Sequence, residues 1–207
     1  RLIVHSATYR QSAQAGAAAY ARDPANRLLA RGPRGRLPAE QIRDNALAIG
    51  GLLSPKFGGP SVYPPQPVGI LEEKGQLQYH PVWITSNGED RYRRGFYTFL
   101  RRTVPYPSMA TFDAPSREIC TVRRIRTNTP LQALVLLNDP QFVEAGRKLS
   151  ERLLADGGSD QVVSQMFEEV IGRAPSAEEY AVLKKLYQTQ RDYFVNHPEE
   201  AELTFMT

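Results

Sequence analysis

The chain has 207 residues, 41% of them hydrophobic, with 26 Lys and Arg against 22 Asp and Glu and a formal net charge of +4. No apolar run reaches the roughly 20 residues that a transmembrane helix needs, which excludes a membrane span in this sequence. The single cysteine, Cys120, excludes an internal disulfide framework and a cysteine-rich zinc module. We therefore expect one globular domain over residues 1–207.

The positive charge is carried mainly by arginine, with 21 Arg and five Lys. A guanidinium is planar and suits paired hydrogen bonds to carboxylates within a fold, whereas lysine suits a solvated surface. This bias predicts that many of the arginines are structural.

The first 53 residues are predicted to be helical. Asp23-Pro24 pairs an N-cap residue with proline at the first helical position, which predicts a short helix to about Ala30. A second helix is predicted from about Leu37 to Leu53, because apolar residues recur there at helical spacing. Its buried face is predicted to carry Ile42, Ala46, Ile49 and Leu53.

Residues 54–118 are predicted to be mainly irregular. Nine of the 16 prolines lie between Ser54 and Pro115, which disfavours a helix or a central strand over most of this stretch. Residues 76–85 are predicted to form at most a short β-hairpin. Aromatic residues at helical spacing predict an arginine-rich helix from Glu89 to about Thr103.

Residues 119–207 are predicted to form helical hairpins. Thr129-Pro130 and Asp139-Pro140 are two helix starts, predicting helices over 131–137 and 141–155. Ser159 caps a helix to Ile171, and residues 176–179 (SAEE) form a capping box that opens a helix to about Val195. The residues predicted to face inward on this last helix are Tyr180, Leu183, Leu186 and Tyr187. The fold class is therefore mainly α, an irregular helical domain with a long Pro/Gly-rich central loop.

Several residues that could carry chemistry favour a structural interpretation. Ser61 lacks the Gly-x-Ser-x-Gly elbow of a nucleophilic serine. The histidines, His5, His80 and His197, have no second ligand at helical or hairpin spacing, so no metal site is expected. Cys120 is expected to be a small buried residue rather than a reactive thiol.

Arginine grouped with aromatic and acidic residues is the strongest local pattern. Residues 89–97 and 117–126 could bind single-stranded nucleic acid by stacking and phosphate pairing. They could also form internal ion pairs, the interpretation that we favour. We expect Arg43 and at least one arginine of 91–94 to hydrogen bond carboxylates inside the fold. The binding or structural ion-pair network is predicted to comprise Arg10, Arg36, Glu40, Arg43, Arg94 and Arg124.

Seven ordered sequence blocks carry a family resemblance over essentially the whole chain. They are 6–12 (SATYRQS), 23–29 (DPANRLL), 36–44 (RLPAEQIRD), 58–62 (GGPSV), 91–97 (RYRRGFY), 112–115 (FDAP) and 129–138 (TPLQALVLLN). In this order they closely resemble the planctomycete-specific C-terminal domain, a PSD-type domain of unknown function. The closing block 171–179 (IGRAPSAEE) is similar to the final helical pair of that family.

The resemblance implies a cellular location and a neighbouring domain, but no reaction. Members of the family are exported proteins with a cytochrome c-like domain upstream, which implies an exported or cell-envelope location. Any haem would belong to that upstream domain, and no cofactor is implied within residues 1–207. Because the family's domain usually begins upstream of the first block, we expect the chain to be truncated at its N-terminus.

Three functions remain open from the sequence. The first is a non-catalytic helical module that docks or scaffolds upstream domains of the same polypeptide. The second is a hydrolase acting on an anionic or polysaccharide substrate, with its site between the Gly58-Gly59-Pro60 loop and the Arg/Asp blocks, where Asp44 and Asp113 would be acid and base. Nucleic-acid binding ranks last, because lysines are few and no known motif is present.

A surface prediction concerns the start of the chain. Leu2, Ile3 and Val4 form an apolar run, which we expect to line a bare surface. Exposed apolar patches favour association. The chain by itself is therefore expected to self-associate.

Overall fold

The computed structural model describes residues 1–67, 69, 83–101, 104–157 and 159–205. The described residues form a mainly α fold, as predicted, and β pairing among them is limited to an isolated bridge between Val62 and Thr98. The helices are α1 (Leu2–His5), α2 (Ala17–Arg22), α3 (Ala39–Ile49), α4 (Pro107–Thr111), α5 (Pro130–Asn138), α6 (Pro140–Gly157), α7 (Ser159–Ile171), α8 (Ala177–Asn196) and α9 (Pro198–Phe205). Two compact units divide the chain, Arg1–Leu37 and Pro38–Thr207.

The first unit contains two short helices and a turn where a helix is predicted. Both carboxylate oxygens of Asp23 accept backbone hydrogen bonds, from Arg27 at 2.9 Å and Leu28 at 2.7 Å. Asn26 and Leu29 have left-handed backbone angles, each with φ of 53°. The predicted helix from Asp23 to Ala30 is therefore wrong, because Asp23 closes a tight turn instead of capping a helix. In α1, Leu2, Ile3 and Val4 are exposed, as expected.

Helix α3 opens the second unit and buries a different face from the predicted one. Its buried residues are Ala39, Arg43 and Leu47, spaced four apart, whereas Ile42 and Ala46 are half-buried. Hydrophobicity could not reveal this face, because its central residue is an arginine that finds polar partners inside the fold. The helix ends at Gly50, where a Cβ would lie 2.8 Å from the carbonyl oxygen of Ala145 on α6.

The proline-rich connection after α3 is held in place at Val62 and Tyr63. The backbone N–H of Val62 donates to Tyr97 O, and the carbonyl oxygen of Val62 accepts from Phe99 N, both at 2.8 Å. The Tyr63 ring stacks on Phe99 and meets Trp83 edge to face. The predicted hairpin over 76–85 lies outside the described residues except for 83–85.

The predicted arginine-rich helix from Glu89 to Thr103 is wrong over the described residues 89–101. Two short 3-10 helices, Gly88–Tyr92 and Gly95–Tyr97, replace it. Between them the backbone of Arg93 is extended, with φ −64° and ψ 157°. This break allows Arg93 to turn inward, where its side chain is completely buried.

The predicted helix starts of the last third are confirmed. Thr129 and Ser176 each form a capping box, at the starts of α5 and α8. Consecutive helices α5 to α9 contact one another, and α3 packs on α6. The small core between α6 and α7 contains Leu149, Leu153 and Val162. On α8 the prediction is wrong for Leu186, which is exposed.

Candidate functional site

The centre of the second unit is a buried polar network built on Arg43. Its Nε donates to Gln141 Oε1 at 2.5 Å, its Nη1 to the carbonyl oxygen of Arg93 at 2.5 Å, and its Nη2 to that of Arg91 at 3.0 Å. One guanidinium therefore joins α3 to α6, to the first 3-10 helix and to Arg93, which follows that helix. The fork of five N–H donors makes such three-way bonding possible.

Arg43 has a carboxylate at ion-pair distance, that of Asp44, but it forms no hydrogen bond to a carboxylate among the described residues. Its Nη1 lies 3.9 Å from Asp44 Oδ1, which is longer than a hydrogen bond. The prediction is wrong for Arg43 because backbone carbonyls and an amide take its donors instead. The buried Gln141 continues the network through Nε2 to Tyr106 Oη and to Asp139 Oδ1. Burial raises the pKa of Asp139 and of Tyr106.

Arg93 fills the space beneath the Gly58-Gly59-Pro60 loop. It donates to the carbonyl oxygens of Pro60, at 2.8 Å, and Gly58, and its guanidinium lies 3.9 Å from the centre of the Tyr97 ring. Gly58 and Gly59 have φ of 76° and 93°, angles that favour glycine. The loop therefore holds a side chain of the protein itself.

The arginine prediction is confirmed at Arg91. Its Nη2 lies 3.3 Å from Glu144 Oε2, and the Tyr92 hydroxyl donates to Glu144 Oε1 at 2.7 Å. These contacts fasten the first 3-10 helix to α6. Arg91, Tyr92 and Arg93 thus contact the protein itself, whereas Arg94 and Phe96 of the same block are exposed.

The two candidate catalytic carboxylates are held by different partners. Asp44 Oδ1 accepts from Gly95 N at 2.6 Å, and burial raises the pKa of Asp44 against the opposing effects of Gly95 and Arg43. Asp113 accepts from the backbone N–H of Thr127 at 2.7 Å. We find no observation in the described residues that favours the hydrolase alternative.

The remaining predicted site residues lie nearer the surface. Arg124 Nη1 forms an ion pair with Glu40 Oε2 at 2.7 Å. Arg10 and Arg94 are exposed, and Arg36 is half-buried. Among the described residues, no group of three His, Cys, Asp or Glu side chains could hold a metal ion.

A segment that we name the strap, residues 116–129, is exposed along its whole length. The exposed fractions of Ile119 and Ile125 are 77% and 74%, and Val122 is fully exposed. Cys120 is also exposed, so the expectation that it is buried is wrong. The strap is fastened by Arg124 to Glu40 and by Thr127 to Asp113, which leaves its other side chains in solvent.

Helix α5, which follows the strap, buries a polar side chain and exposes apolar ones. Its buried residue is Gln132, whose Nε2 donates to the carbonyl oxygen of Thr111 at 3.0 Å and to Thr127 Oγ1 at 3.1 Å. Four of its leucines are exposed, namely Leu131, Leu134, Leu136 and Leu137. A helix of a globular domain normally places its apolar residues inward. We call the strap together with α5 the strap surface.

The motifs and spacings of the sequence do not predict the strap surface, although the sequence contains one signal for it. Residues 131–137 are apolar except for Gln132, and a short helix on the outside of a fold cannot bury every side. Which side faces the protein is decided by Gln132, whose amide also reaches back to the backbone N–H of Thr129 in the capping box.

A cavity of about 120 Å³ opens where the strap begins. Its apolar lining includes Phe99, Leu100 and Met109, and its charged residues are Glu40 and Arg117. Burial raises the pKa of Glu40, but the hydrogen bond and charge of Arg124 outweigh it, so that the pKa is lowered overall. Neither Asp44 nor Asp113 lines this cavity.

No helix in the described part of the chain is long and apolar enough to cross a membrane. The model of the PSD1 family, described as a protein of unknown function (DUF1553), matches residues 1–187. No curated protein and no solved structure significantly matches the chain. The chain belongs to the PSD1 family.

Proposed function

We propose that this member of the PSD1 family is a non-catalytic docking module, and that the strap surface is where it docks. The observation that carries the proposal is the reversed polarity of α5, which buries Gln132 and exposes four leucines. Exposing apolar side chains costs free energy, about 25 cal/mol for each Å² left in water. A partner that covers them recovers this free energy.

The interior of the second unit supports a rigid module. Arg43 and Arg93 are both buried, and each donates to backbone carbonyl oxygens of the chain itself. The Nη groups of these two arginines thus bond within the protein, whereas Arg93 Nε has no hydrogen-bond partner among the described residues. A fixed scaffold of this kind holds a docking surface in one conformation, which lowers the entropic cost of binding.

The proposed partners are upstream domains of the same polypeptide. The resemblance stated above supports this choice, because it implies an exported or cell-envelope protein with a cytochrome c-like domain before this segment. In that arrangement the haem belongs to the upstream domain. Heme absorbance and cell fractionation of the complete polypeptide test this context.

Cys120 provides a direct test of docking, because it is the one cysteine of the chain and lies exposed in the strap. Its alkylation rate is measured by peptide-resolved mass spectrometry in the 207-residue chain and in the complete polypeptide. We expect alkylation to be slower in the complete polypeptide by a factor of about ten or more, as docking covers the strap. Equal rates would contradict the proposal.

Matched variants separate docking from general burial. Leu134→Glu with Leu137→Glu, in the complete polypeptide, should restore fast alkylation of Cys120. Val182→Glu with Leu186→Glu places the same charges on exposed apolar positions of α8 and should leave Cys120 protected. Protection of Cys120 that rises with concentration in the 207-residue chain would instead indicate self-association.

A further inference from the structure

The strap combines positive charge with apolar side chains. Between Ser116 and Thr129 it carries four arginines and one glutamate. Arg124 is paired with Glu40, whereas Arg123 and Arg126 are exposed and have no carboxylate contact among the described residues. A partner with carboxylates opposite these two arginines would complete the charge pairing.

The main chain of the strap is also available for pairing. From 116 to 126, no backbone-to-backbone hydrogen bond forms within the described residues. Exposed N–H and C=O groups on an irregular segment can pair with the main chain of another segment. The contacts of Ser116 Oγ with Glu118 N and of Thr121 Oγ1 with the Ile119 carbonyl oxygen are local and leave most of these groups open.

The cavity at the start of the strap has the size of one apolar side chain. Its volume is about 120 Å³, and Ser116 and Arg117 of the strap form part of its wall. An apolar cavity of about 150 Å³ holds a benzene-sized group, so this one fits a side chain such as leucine. Arg117 at the wall shares the cavity with Glu40, whose carboxylate its charge stabilises.

We propose that the strap surface binds an acidic peptide segment of its partner, whose carboxylates meet Arg123 and Arg126 and whose single apolar anchor enters the cavity beside Arg117. This inference rests on the proposed docking function and adds the chemistry of the partner. Nucleic acid is the other polyanion that arginines attract. It is disfavoured here because the strap interleaves its arginines with Ile119, Val122 and Ile125, and contains no aromatic residue on which a base could stack.

The test selects peptides of about ten residues from a random displayed library on the 207-residue chain. We expect the selected peptides to be rich in Asp and Glu and to share one Leu, Ile or Phe position. One selected peptide is then synthesised with a fluorescent label and titrated by anisotropy. Its binding should also slow the alkylation of Cys120.

Charge and cavity variants identify where the peptide binds. Arg123→Glu with Arg126→Glu should weaken binding by a factor of about ten or more, as should Ala110→Leu, which fills the cavity from α4. The matched controls are on α8, where Lys185→Glu with Arg191→Glu and Ala181→Leu alter exposed positions. These controls should leave the affinity unchanged.

The following results would contradict the proposal that the partner segment is acidic. Failure to enrich acidic peptides, enrichment of basic ones, or affinities equal in the strap and α8 variants would do so. Tighter binding of a labelled oligothymidine or oligouridine than of the selected peptide would show a nucleic-acid surface instead. If Cys120 is nevertheless protected in the complete polypeptide, docking stands and only the acidic chemistry of the partner fails.

Discussion

Arg124 Nη1 lies 2.7 Å from Glu40 Oε2, although 84 residues separate the two in the chain. The pair joins the middle of the strap to the first turn of α3, and Thr127 with Asp113 makes the second attachment. Between and around these attachments the strap carries exposed isoleucine, valine and arginine. The segment is thus held in place while its side chains remain available for binding.

Removal of this ion pair should loosen the strap without unfolding the protein. We expect Arg124→Ala to lower the fluorescence anisotropy of a dye attached to Cys120, because the strap then loses one of the two attachments that it makes to other described segments and keeps the one at Thr127. The free energy of unfolding should fall by less than about 1 kcal/mol, since Arg124 is partly exposed. Arg123→Ala is the control and should leave the anisotropy unchanged. An unchanged anisotropy in Arg124→Ala would show that the pair does not hold the strap.

Removal of the central guanidinium should strongly destabilise the fold. Arg43→Met leaves Gln141 Oε1 and the carbonyl oxygens of Arg91 and Arg93 without their donor. Each buried acceptor left unpaired costs about 1 to 3 kcal/mol, so we expect the free energy of unfolding to fall by about 3 kcal/mol or more. Denaturant titration measures the change.

Arg43→Lys should restore little of the stability that Arg43→Met loses, because one ammonium group cannot reach three acceptors in separate directions. Arg123→Met, at an exposed position of the strap, should change stability by less than about 0.5 kcal/mol. A stability of Arg43→Met close to that of the parent chain would mean that water replaces the guanidinium at little cost.

Two glycine-to-alanine substitutions should have opposite effects on the stability of the chain. At Gly95 a Cβ would lie 3.0 Å from both Cα and O of Glu40, so Gly95→Ala should destabilise the chain by about 1 to 3 kcal/mol. At Gly146, inside α6, a Cβ meets nothing within 4 Å. Gly146→Ala should therefore stabilise the chain by up to about 1 kcal/mol through helix propensity. Melting curves of the two variants that shift in the same direction would refute this packing argument.

The acid dependence of stability should involve Glu179. Arg173 donates to both of its carboxylate oxygens, at 2.8 and 2.7 Å, and Ser176 N donates at 2.8 Å. The Arg173 hydrogen bond, followed by that of Ser176, lowers the pKa of Glu179 from 4.5 to about 2. The pKa of Glu179 is lower in the folded chain than in the unfolded chain. The ionised carboxylate therefore stabilises the fold above pH 4.5, and this contribution is lost as the pH falls towards 2.

The measurement is the thermal midpoint as a function of pH. Glu179→Gln should lose less stability than the parent chain between about pH 4.5 and 2. Glu178→Gln, at the exposed neighbouring position, should follow the parent curve. Identical pH profiles for all three proteins would show that the contacts of Glu179 do not contribute to stability in solution.

The sequence by itself determined the helices whose ends carry their own signals. Thr129-Pro130, Asp139-Pro140 and the capping box at Ser176 start α5, α6 and α8 where predicted, because each signal acts through hydrogen bonds within a few residues. The family also followed from the sequence, since its blocks are read in order along the chain.

Tertiary structure decided which side of α3 and of α5 is buried. The inward positions of Arg43 and Gln132 depend on acceptors and donors in distant segments, such as the carbonyl oxygens of Arg93 and Thr111. Residues 89–97 form two short 3-10 helices instead of the start of one α-helix, because Arg93 reaches the carbonyl oxygens of Gly58 and Pro60. Hydrophobic periodicity scores such residues as polar and places them outside, since it contains no information about polar partners far away in the chain. The exposed leucines of α5 follow from the same cause, because the burial of Gln132 turns them towards solvent.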